Sequence, residues 1–78
     1  MLWYYEKISE DDSALLYSYG WNTEEKTGRL LYDKSSQETT VKKIADNDNQ
    51  KGAEWAASHL SSVLIQEKFP EKTVVQIG

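Results

Sequence analysis

The sequence predicts an α+β fold: a four-stranded antiparallel β-meander, one long amphipathic α-helix packed on the sheet, and a short C-terminal strand. Three observations predict it. Up to Ile44, β-favouring stretches alternate with short polar turns. From Ala53 to Leu64 the apolar residues change to three- and four-residue steps. Thr73-Val74-Val75-Gln76-Ile77 then returns to strong β character. The chain has 78 residues, 38% hydrophobic and 28% charged. That describes one small folded domain, 1–78, which buries about 60–65% of its unfolded surface and has a marginal core. Aromatic residues make up 12% of the chain and supply the burial that its few large aliphatics cannot.

Each element has a local reason. The first strand, Leu2 to Ile8, is rich in rings and ends at Ser9-Glu10-Asp11-Asp12, whose side chains can bond their own backbone in a turn. Tyr17, Tyr19 and Trp21 alternate along the second strand, Leu15 to Trp21. Thr23 to Gly28 reads as a hairpin tip, with Gly28 as a left-handed residue. Arg29–Asp33 and Glu38–Ile44 are the third and fourth strands, joined by the polar turn Lys34–Gln37. Asn47 is the expected N-cap of a helix of about 20 residues. Its inner face carries Ala53, Ala56, Leu60, Val63 and Leu64, and Lys68 lies on its exposed side. Gly52 falls in the first turn, where its cost is small. Phe69-Pro70 ends the helix, because a residue before proline avoids helical angles.

A two-layer packing follows. The expected hairpin register places Tyr19 and Trp21 opposite Tyr32 and Leu30, with Val41 on the same, helix-covered face. The other face carries Leu16, Ser18, Gly20, Leu31, Thr40 and Lys42, and Trp3 and Tyr5 are expected there. The last strand can pair with its own sheet or with a second chain.

Composition narrows the function. Without cysteine there is no disulfide scaffold, thiol nucleophile or Cys-ligated metal. A net charge of −4 argues against duplex nucleic acid. No apolar run is long enough to span a membrane, and no secretory or lipidation signal is seen, so a cytoplasmic location is expected. His59, the only histidine, has Ser62 three residues on as its one plausible partner, and reads as an ordinary helix histidine. A calcium loop counted from Asp46 would need Gly and Glu where Lys51 and Ala57 stand, so capping explains those residues better. Glu10, Asp11, Asp12, Glu24 and Glu25 sit in turns, in water. No catalytic residue, metal site or cofactor is expected, and the chain does not read as an enzyme.

The rings are the lead. If Trp3 and Tyr5 lie on an uncovered face they form an apolar patch of the kind that marks an interface, and Trp55 flanks the helix centre line. Trp3, Tyr5 and Trp55 are therefore the candidate binding residues. The leading expectation is a non-catalytic protein-interaction module, possibly a homodimer through the aromatic sheet face or a strand edge. The alternatives are a small-ligand or sugar binder on the same rings, or an acidic inhibitor or immunity-type protein that binds a basic partner.

Overall fold

The computed structural model describes residues 2–21, 26–46, 48–67 and 69–76, with the side chains of residues 2 and 76 left aside. Five strands form one antiparallel sheet: β1 (Leu2–Glu10), β2 (Ala14–Gly20), β3 (Gly28–Asp33), β4 (Glu38–Lys43) and β5 (Lys72–Gln76). The helix α1 (Gln50–Gln66) lies between β4 and β5 in the chain. The strand order is β4-β3-β2-β1-β5, so the last strand joins its own sheet beside the first. This is the expected α+β architecture.

The helix covers one sheet face. Beneath it lie Trp3, Tyr5, Leu15, Tyr17, Tyr19, Leu30 and Tyr32, all buried. Above them α1 presents Ala53, Ala56, Ala57, Leu60 and Leu64. The fit is one of size: the strands supply rings, and three of the five buried helix residues are alanines, which lets the helix approach the sheet closely. Val41 packs at the margin, as the alternation predicts.

Several details differ from expectation. Leu15 faces Tyr32, Tyr17 faces Leu30 and Tyr19 faces Gly28, so the second hairpin is offset by four residues from the expected register. An even offset keeps every side chain on its face. Gly28 is a strand residue, and no described glycine has positive φ. Its role is steric, because a Cβ there would overlap the Tyr19 ring. Of the expected hairpin tip, residues 23–25 lie outside the described residues.

Trp3 and Tyr5 are not on the uncovered face. They are 0% and 1% exposed and lie under the helix. The reason is pairing: Tyr5 faces Tyr19, and residues opposite each other on neighbouring strands share a face. The β1–β2 register shifts between Lys7 and Ser9, and this irregularity carries β1 on to Glu10, past its expected end at Ile8.

The N-cap is Asn49. Its side chain accepts from the Gly52 backbone N–H at 2.9 Å. The expected cap, Asn47, lies outside the described residues, as do Lys68 and Ile77. The helix has 17 residues and stops before Phe69, which takes a left-handed φ of 41°. The chain turns there so that the Phe69 ring packs on Tyr32, with centroids 6.2 Å apart, and the Pro70 carbonyl receives the Tyr17 hydroxyl at 2.6 Å.

Candidate functional site: a tryptophan-walled hollow

The site lies where the N-terminal end of α1 meets the start of β1. Trp3 is on β1, and Trp21 follows β2 one step beyond the Tyr4–Gly20 pair, so the two indoles are cross-strand neighbours. Their ring centroids are 5.6 Å apart at 47°. Trp55, on α1, meets Trp3 edge-on at 6.5 Å and 89°. His59, one turn further, lies 5.6 Å from Trp3 at 41°. Trp3 is thus wedged among three rings that are not coplanar with it.

These rings leave an open hollow of about 250 Å³, walled by Trp3, Trp21 and Trp55 and rimmed by Asp48, Asn49, Lys51 and Gly52. Trp55 is 51% exposed and Trp21 is partly exposed, so their faces are reachable while Trp3 forms the floor. The indole Nε1 atoms of Trp3 and Trp21 are buried and have no hydrogen-bond partner among the described residues. Such a donor costs about 1–3 kcal/mol relative to its hydrated state. Two in one small wall are unusual, because buried polar atoms are nearly always paired.

The rim is polar and well organised. One Asp48 oxygen accepts from the Asn49 N–H at 2.8 Å, and the other accepts from the Tyr19 hydroxyl at 3.3 Å. A Cβ on Gly52 would collide with the Asp48 carboxylate, so glycine lets this acid tuck against the first helical turn. There its charge faces the positive end of the helix dipole. The ammonium of Lys51 adds a donor. The rim therefore offers both donors and acceptors, and its fixed charges offset one another.

The sequence-predicted residues divide. Trp3 and Trp55 come together in the hollow. Tyr5 does not line it: its hydroxyl donates to the Ala56 carbonyl at 2.8 Å in the core, and burial pushes its pKa far up. Trp21, Asp48, Asn49 and Lys51 were not singled out for binding. Trp21 reads as the end of a core stripe, and its meeting with Trp3 depends on a β1–β2 register that no local pattern supplies.

The other candidates have structural partners. The Ser62 hydroxyl turns back to the Ser58 carbonyl at 3.3 Å. Glu10 pairs with Lys7 at 2.8 Å and Lys34 at 2.9 Å, and those hydrogen bonds lower its pKa. Asp11 accepts from the backbone N–H groups of Ser13 and Ala14, each at 2.8 Å, which closes the β1–β2 turn and lowers its pKa. Glu24 and Glu25 lie outside the described residues. Among the described residues there is no cluster of three or more metal-ligating side chains, and no helix is long and apolar enough to cross a membrane.

Comparison with family models, curated proteins and solved structures finds no match to this chain. The functional reading therefore rests on the hollow.

Proposed function

We propose that this chain is a non-catalytic binding module that takes one small, neutral, hydroxyl- or amide-bearing ring, of the sugar type, into the tryptophan hollow. The observation that carries the reading is the pair of unpartnered indole donors in a wall whose outer rings face solvent. A sugar ring has C–H-rich faces that pack on indoles, and hydroxyls that serve as both donors and acceptors. The hollow supplies much of the matching set: Trp21 and Trp55 for the faces, Asp48 and Asn49 as acceptors, Lys51 as a donor. The Trp21 Nε1 is buried, so its donation to a ligand requires the ring to tilt on binding. At about 250 Å³ the hollow is below the range of drug-sized pockets, about 300–1,000 Å³, and suits a single ring. A cytoplasmic setting belongs to the same proposal.

The test is a titration with neutral monosaccharides and their N-acetylated amino forms, followed by indole N–H resonances and tryptophan fluorescence. Binding should move the Trp21 and Trp55 signals, and Trp55→Ala should weaken it at least about tenfold, a loss of about 1.4 kcal/mol. If no indole signal moves up to about 10 mM ligand, where even contacts weaker than 4 kcal/mol would register, the proposal fails.

A further inference from the structure

At the far side of the sheet from β5, β4 is an edge strand, with no further strand beside it among the described residues. Its charges are arranged oddly. At one end of the β3–β4 ribbon Asp33 faces Glu38, and at the other Arg29 faces Lys43 with Lys42 adjoining. Like charges directly opposite on neighbouring strands repel. Asp33 is held in its turn, where its carboxylate accepts from Ser35 and Ser36. Glu38, Lys42 and Lys43 are exposed.

We infer that β4 is the interface of a two-fold symmetric dimer in which a second copy of this chain adds its β4 antiparallel to the first. An antiparallel two-fold pairing brings the acidic end of one ribbon against the basic end of the other, twice. In such a pair a central residue faces itself. Centring on Thr40 sets Glu38 opposite the second copy's Lys42, and Thr39 opposite its Val41. Centring on Thr39 or Val41 leaves Glu38 without a basic partner on β4. The charges therefore choose the register as well as the direction.

The helix leaves room for the second strand. Between β4 and α1 lies a groove of about 640 Å³ whose helix side is formed by Gln50, Glu54, Ala57, Ser58 and Ser61. Small residues at three consecutive contact positions keep the helix low beside the edge. The Ser61 hydroxyl is already held by Thr39 at 2.6 Å, so this part of the groove is preformed. The register shifts next to Lys42, leaving it without a β3 partner, and an irregularity of this kind limits the pairing to a short ladder. Two-fold pairing consumes the β4 edge of both copies, so it makes a closed pair of chains rather than an open fibre.

The experiment is a charge-reversal cycle read by light scattering on a sizing column, at chain concentrations up to about 1 mM. The unmodified chain should approach twice its 9.0 kDa mass. Glu38→Lys alone, and Lys42→Glu with Lys43→Glu, should each weaken self-association by about tenfold or more. Mixing the two variants should restore a heterodimer, and circular dichroism establishes that each is folded. In the unmodified chain, amide exchange at β4 should slow as concentration rises. A monomer at every concentration overturns the inference, and so does a dimer indifferent to the charge reversals. The hollow lies away from β4, and its titration stands or falls separately.

Discussion

The core has a tyrosine half and a tryptophan half, and the two treat their polar atoms differently. On the tyrosine side every buried hydroxyl of the β1–β2 pair is anchored. Tyr5 donates to the Ala56 carbonyl, Tyr17 to the Pro70 carbonyl, and Tyr19 to Asp48 while accepting from the Ala45 N–H at 3.1 Å. These bonds tie the sheet to the helix, to the crossover and to the loop before α1. On the tryptophan side, two indole donors are buried and have no partner among the described residues. The same class of residue holds the fold together at one end and stays unsatisfied at the other. The lesson is that burial alone does not separate scaffold from site; satisfaction of the polar atom does.

The largest test of this contrast is alkaline pH. Burial raises the pKa of Tyr5, Tyr17 and Tyr19, with Tyr17 pushed up to about 12. In the unfolded chain these groups ionise near 10. The stability they contribute is complete below pH 10 and is lost as pH rises through the folded values, because above 10 the folded state holds more protons. Tyr5 alone should cost about 1.4 kcal/mol per pH unit above 10. Melting temperature should hold to about pH 10 and then collapse, with phenolate absorbance from the buried rings rising in the unfolding transition itself. Titration of every tyrosine near pH 10 with the fold intact would break the contrast.

Next in size is the seat of Tyr19. Gly28→Ala pushes a methyl group into that ring and should destabilise the domain by about 1–3 kcal/mol in urea unfolding. A neutral result would mean that Tyr19 is loosely held and its half is not the rigid one. The finest test pairs two ring changes. Tyr5→Phe removes an anchored hydroxyl and should cost about 1 kcal/mol. Trp21→Phe removes a donor that has no acceptor, which offsets the loss of packing, and should cost less than Tyr5→Phe by the same unfolding measurement. The reverse ranking would show that the Trp21 indole is scaffold.

Much of this fold is legible in the sequence because its signals are local. The alternation of Tyr17 and Tyr19, the alanine-rich face of α1 and the break at Phe69-Pro70 each lie within one element. What escaped depends on how elements meet. Trp3 and Tyr5 take the helix face because Tyr5 pairs with Tyr19, a relation between strands that no stretch of β1 contains. Gly28 reads as a turn residue until the Tyr19 ring is seen lying across it. Asn49 caps α1, in a segment where four consecutive Asp and Asn residues all suit the role. The candidate site is half legible: the sequence marks Trp3 as part of an uncovered face and Trp55 as flanking the helix centre line, yet what joins them is a corner shared with Trp21.

The position of β5 has a consequence for how the molecule comes into being. Trp3 faces Val75, so the first strand is completed by a strand that lies beyond α1 in the sequence. The β1–β2, β2–β3 and β3–β4 hairpins can close while the chain is still emerging from the ribosome, since each joins neighbours. The β1–β5 rungs must wait until α1 and β5 have followed, and closing so long a loop is entropically slow. Until β5 has emerged, the edge of β1 beside Trp3 stays open, and the nascent chain is exposed to wrong pairing there.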